Sequence, residues 1–139
     1  MTVLAIVDTN VVVAGLLTRD GASPPARVLD AMLAGALTFL LSVDLLAEYR
    51  RVLLRPKICR RHGLTEAEVD AVLETLAFHG ILREPPGALD PPRDPGDAHL
   101  FALLAVEPRA ILISGDLETL AQVPSGRGLS PRDAVSELG

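Results

Sequence analysis

The chain has no Trp, one Tyr and three Phe. Its four rings, Phe39, Tyr49, Phe78 and Phe101, are scattered, which argues against a module that binds nucleic acid by stacking bases on aromatic platforms. Cys59 is the single cysteine; this excludes a disulfide scaffold and fits a reducing, cytoplasmic setting. Long apolar runs are missing too: Leu100–Val106 spans seven residues, against the roughly 20 needed to cross a bilayer, so no membrane partner is expected. Met1–Val7 is apolar but lacks a basic start and is stopped by Asp8, so it is not read as a signal peptide. Lysine is almost absent. Twelve of the 13 basic residues are Arg, and any chemistry that requires lysine must use Lys57. Neither the GxxxxGK[ST] phosphate loop nor the dinucleotide fingerprint GxGxxG occurs.

What is present is aliphatic and acidic. Hydrophobic residues make up 49% of 139, too many for a disordered chain and enough for an aliphatic core in one domain spanning 1–139. Acids number 18, giving a net charge of −5. Val3–Val7 (VLAIV) and Ala110–Ile113 (AILI) are continuous aliphatic runs, as expected of parallel strands covered on both faces. Leu37–Leu41 is a third such run and Ile81–Arg83 a weaker fourth. Helical patterns lie between them: Pro24–Ala34 after Ser23, Val43–Leu54 after Ser42, a capping box at Thr65-Glu66-Ala67-Glu68 leading into a stripe of Val69, Val72, Leu73 and Leu76, then Asp97–Val106, and a last helix opened by Ser130-Pro131. Alternating strands and helices predict an α/β fold with a mostly parallel sheet. Pro85–Pro95 holds five of the 11 prolines and is long enough to carry function, while Gly126-Arg127-Gly128 marks a turn.

Ligands of open α/β sheets bind outside the carboxyl ends of the strands. Both clear strands lead to an acid there: Asp8 follows VLAIV, and Asp116 follows AILI through Ser114-Gly115. Glu48 falls beside the apolar stripe of its helix, and Asp97 opens the helix after the proline-rich segment. Converging carboxylates stay ionised together only when cations compensate them, and oxygen donors suit Mg²⁺ or Mn²⁺. His62, His79 and His99 are too dispersed for a zinc site. Each acid also has an ordinary reading. Asp8 can cap the next helix, Asp116 can start a short one, Asp94 can cap the helix opened by Asp97, and Glu48 can be a solvated helix residue.

Taken together, Val7-Asp8-Thr9-Asn10-Val11, Leu46-Ala47-Glu48-Tyr49, Arg93-Asp94-Pro95-Gly96-Asp97 and Ile113-Ser114-Gly115-Asp116 give the chain a recognisable pattern. Leu54-Arg55-Pro56-Lys57 and Leu129-Ser130-Pro131-Arg132 extend it nearly end to end. In these motifs the chain resembles PIN-domain ribonucleases, particularly the VapC-like toxins of toxin–antitoxin pairs. The resemblance implies a three-layer α/β/α fold with a sheet of about four to five strands. It implies one or two Mg²⁺ or Mn²⁺ ions held by Asp8, Glu48, Asp97 and Asp116, with Asn10, Ser114 and Asp94 supporting them from behind. It further implies cleavage of RNA to 5′-phosphate and 3′-hydroxyl ends, a cognate antitoxin and a homodimer. Gly96 stands where relatives often carry another acid, leaving open whether Asp94 or Asp97 is the closer ligand; the helix register favours Asp97.

Net negative charge is the wrong sign for a general nucleic-acid binder, but the distribution is uneven. Arg50, Arg51, Arg55, Lys57, Arg60 and Arg61 fall within 12 residues, with no acid from Arg50 to Thr65. This strip, read as continuing the helix of Glu48, is the expected RNA-binding surface; a solvated face or a dock for an acidic partner are its plainer readings. Two functional rivals remain. A phosphatase of the haloacid-dehalogenase type wants an acid two residues after Asp8, where this chain has Asn10. A non-catalytic PIN scaffold or RNA-binding module would not need all four acids.

Overall fold

The structure is a computed structural model and describes residues 3–85 and 97–138. Strand β1 (Leu4–Val7) runs straight into helix α1 (Thr9–Leu17), followed by α2 (Pro24–Leu33), β2 (Thr38–Leu41), α3 (Val43–Leu53), α4 (Pro56–His62), α5 (Glu66–His79) and β3 (Ile81–Leu82). After the segment 86–96 come α6 (Ala98–Val106), β4 (Ala110–Ile113), α7 (Leu117–Gln122), β5 (Gly128–Leu129) and α8 (Pro131–Leu138). The strands form one parallel sheet in the order β3-β2-β1-β4-β5. The α/β class and PIN-like three-layer arrangement read from the sequence are therefore present, and the sheet has five strands.

The aliphatic runs explain the middle of the sheet. Ala5, Ile6 and Val7 of β1 and Leu112 and Ile113 of β4 are buried, as strands covered on both faces must be. The chain leaves β1 toward β2 on one side and takes up β4 on the other. The switch point of the topology is thus the crevice between β1 and β4, where such sheets place their ligands. Register fixes what meets there: Val7 pairs with Ile113, so Asp8 and Ser114 leave the sheet side by side.

Two helices escape a reading by local pattern. In α1, Val11, Val12 and Val13 are β-branched and favour strand conformation, yet all three are buried in a helix. Tertiary packing overrides propensity: α1 lies against α2, and a Cβ on Gly15 would come within 2.9 Å of the Pro25 carbonyl oxygen, so the missing side chain permits the approach. The second is α4. The basic strip does not continue the helix of Glu48. That helix ends at Leu53, Arg55 becomes the N-cap of α4, and Pro56 occupies its first turn, where a missing N–H does no harm. The capping box at Thr65 and Glu68 forms with both reciprocal hydrogen bonds. Helix α6 begins at Ala98 with Asp97 in the N-cap position, whereas Asp94 and most of the proline-rich segment lie outside the described residues.

Candidate functional site

An open cleft of about 710 Å³ lies at the carboxyl ends of β1 and β4. Asp8, Glu48, Asp97 and Asp116 all line it, together with Thr9, Asn10 and Thr119, an aliphatic wall that includes Val13, Leu17, Val52 and Ile58, and the cations Arg55 and Arg61. The four acids come from four different elements, so only the folded topology brings them to one cleft.

Asp8 is the most enclosed of the four, 6% exposed. It occupies the N-cap position of α1, yet its side chain makes no capping hydrogen bond. Its Oδ2 instead accepts from Ser114 Oγ at 2.9 Å and from Asn10 Nδ2 at 3.2 Å. Ser114 is fully buried and its Oγ in turn accepts from the Asp116 backbone N–H at 3.0 Å. Asn10 Oδ1 accepts from the Gly115 N–H at 2.9 Å. Asn10 therefore serves as a strut between the two strand ends. Burial pushes the Asp8 carboxyl above its ordinary pKa; the Ser114 and Thr9 hydrogen bonds oppose this, and the negative charges of Asp97 and Glu48 add to it.

Asp116 does two jobs. Its Oδ1 accepts from the Glu118 N–H at 3.0 Å and so caps α7, the ordinary role foreseen for it. Its Oδ2 accepts from Thr119 Oγ1 at 2.9 Å, and the same hydroxyl lies 3.3 Å from Asp97 Oδ2. A hydroxyl has one proton, so Thr119 donates to only one of these carboxylates at a time. Glu48 projects from α3 with Oε2 2.6 Å from His99 Nε2 and Oε1 3.6 Å from Arg51.

Three contributors were not legible in the sequence. His99 lies against Glu48, 51 residues away in sequence, and Thr119 approaches Asp97, 22 residues away, besides its neighbour Asp116; the two distant contacts are beyond the reach of a local pattern. Tyr49 is buried with Leu45 and Leu53 on α3, and its hydroxyl also donates to the Val7 carbonyl and ties α3 to the end of β1. The tyrosine OH is pushed well above its usual pKa by burial, then by the charges of Asp8 and Glu48, and stays protonated as a donor.

The basic strip divides. Arg55 and Arg61 line the cleft, and Arg51 reaches Glu48. Arg50 binds Glu66 at 2.6 Å and Asp70 at 2.8 Å and borders a separate, apolar groove between α3 and α5. Lys57 and Arg60 are exposed on α4.

Among the described residues, no three Asp, Glu, His or Cys side chains are gathered into a ready-made metal cage. The donor chemistry still fits one class of ion. Four carboxylates face one cleft, where burial and then the charges of Asp97 and Glu48 raise the pKa of Asp8. Hard divalent cations such as Mg²⁺ or Mn²⁺ suit such oxygen donors.

No curated protein and no solved structure matches the chain. A family model for the PIN domain matches residues 5–118, a span that takes in all four cleft acids, β2, β3, β4 and all but the first residue of β1. On that match, and with a parallel sheet carrying an acidic cleft at its switch point, the chain belongs to the PIN-domain family.

Proposed function

We propose that this chain is a divalent-metal-dependent endoribonuclease that hydrolyses RNA phosphodiesters at Asp8, Glu48, Asp97 and Asp116. PIN domains are generally nucleases and typically use divalent metals, which supplies the coarse reading. The observation that carries the finer one is the convergence of four carboxylates from four elements on one cleft that also holds Arg55 and Arg61. When bound, Mg²⁺ or Mn²⁺ supplies an activated water and neutralises charge on the scissile phosphate and leaving oxygen.

The chain's own residues do the rest. Ser114 and Asn10 hold the Asp8 carboxylate in one orientation, and the Thr119 hydroxyl donates to Asp116 or to Asp97. Arg55 and Arg61 attract the substrate backbone electrostatically, which suits a protein without aromatic platforms. No side chain is needed as nucleophile, and the products carry 5′-phosphate and 3′-hydroxyl ends. In this reading the chain is one cytoplasmic domain over 1–139 and the toxin of a toxin–antitoxin pair. Its partners are RNA, a cognate antitoxin and a second copy of itself. The test is mapping of RNA 5′ ends after induced expression. New 5′-phosphate ends should appear with the unaltered chain and not with Asp8→Asn; identical maps from the two would refute the assignment.

A further inference from the structure

Three of the four cleft acids sit at the ends of elements: Asp8 directly follows β1, Asp116 follows β4 after Ser114 and Gly115 and caps α7, and Asp97 holds the N-cap position of α6. Glu48 differs. It reaches the cleft on a longer side chain from within α3, with more rotamers to choose among, so something must choose for it. Arg51 approaches at 3.6 Å but is 62% exposed, and such a pair constrains little. The enclosed contact is His99, whose side chain is 14% exposed and whose Nε2 lies 2.6 Å from Glu48 Oε2. Both atoms are buried, and among the described residues neither is aligned in a hydrogen bond with any partner, the other included; each has the other as a close polar neighbour. His99 reaches Glu48 from α6, which packs against α3. The same helix therefore carries Asp97 at its N-cap position and His99 against Glu48.

We propose that His99 is the positioning residue for Glu48: by holding the Glu48 carboxylate from α6, it sets how tightly the acidic cleft takes a divalent cation. This rests on the cation-dependent reading of the cleft given above. Partners that orient metal-binding groups from behind typically change metal affinity by about 10–100-fold when removed.

The test is Mn²⁺ titration of the metal-stripped full chain, followed through the electron paramagnetic resonance signal of free Mn²⁺. Thermal melting in metal-free buffer establishes that each variant folds. Asp8→Asn should lose the site. His99→Leu should weaken binding about tenfold or more, while His99→Gln, whose amide N–H reaches the same carboxylate, should recover most of it. If His99→Leu does not fold, His99→Asn, too short to reach Glu48, takes its place with the same expected loss. Binding by His99→Leu equal to that of the unaltered chain, with Asp8→Asn inactive in binding, overturns the role of His99 alone. Equal losses in His99→Leu and His99→Gln overturn positioning through a donor. Unchanged binding by Asp8→Asn overturns the cation site itself.

Discussion

Asp8 is placed against its own chemical preference. Its carboxyl is buried and faces the charges of Asp97 and Glu48, so the folded protein binds its proton more tightly than the unfolded chain does. Stability linked to Asp8 therefore falls as pH rises from its ordinary value of 3.8 through the raised folded-state value, and the full penalty is present at neutral pH. This is opposite in sign to the usual carboxylate, whose lowered folded-state pKa contributes stability that is lost in acid. Asp8→Asn keeps an oxygen to accept from Ser114 and removes the charge. The Tm of Asp8→Asn in metal-free neutral buffer should thus equal or exceed that of the unaltered chain, and added Mg²⁺ should raise the Tm of the unaltered chain only. A clear fall in Tm on Asp8→Asn would contradict the penalty assigned to the buried charge. Tyr49 is a different case, because its hydroxyl satisfies a backbone carbonyl at the strand end that carries Asp8. Tyr49→Phe should cost about 1–3 kcal/mol in urea unfolding, the price of leaving a buried acceptor without its donor.

Elements place these residues, and their packing sets tolerances. Helix α1 starts immediately after Asp8, and its axis is held close to α2 at Gly15. Alanine normally improves a helix interior by up to about 1 kcal/mol over glycine. Here the added methyl group would meet backbone at 2.9 Å, so Gly15→Ala should destabilise by about 1–3 kcal/mol and disturb the cleft wall formed by Val13 and Leu17. The break between α3 and α4 has a functional consequence. It leaves Arg50 engaged with Glu66 and Asp70 and turns Arg55 and Arg61 to the cleft. Measured as RNA affinity against salt, Arg55→Ala and Arg61→Ala should each lower the slope by about 0.7 for single-stranded RNA, whereas Arg50→Ala should leave it unchanged. Equal effects from all three would return the strip to a diffuse basic surface.

At the scale of the whole molecule, the sequence carries the acids because two of them adjoin strands that are almost purely aliphatic. VLAIV and AILI suit interior strands, and Asp8 follows the first at once and Asp116 the second after Ser114 and Gly115. Glu48 and Asp97 follow from helix periodicity and helix start. What the sequence hides is long-range or overridden. The valine run of α1 looks like a strand, β5 is only Gly128–Leu129, and the Glu48–His99 and Thr119–Asp97 contacts join elements far apart in the chain. Arg127 is hidden in the same way. It sits in a turn signalled by glycines, with Gly126 at a φ of 82°, yet its guanidinium donates to the carbonyls of Leu104, Glu107 and Ala110 and pins the end of α6 to β4. The order β3-β2-β1-β4-β5 then turns separate motifs into one acidic cleft.

That the cleft is a metal-dependent RNA-cleaving centre is tested most directly by incubating RNA with the purified chain, with Asp8→Asn and with Asp116→Asn, in Mg²⁺ or Mn²⁺ and in EDTA, and identifying the product ends. The unaltered chain with metal should give 5′-phosphate and 3′-hydroxyl products, and neither variant, nor any sample in EDTA, should give them. Cleavage that persists in EDTA, or in both folded variants at near-normal rates, would contradict that role of the cleft.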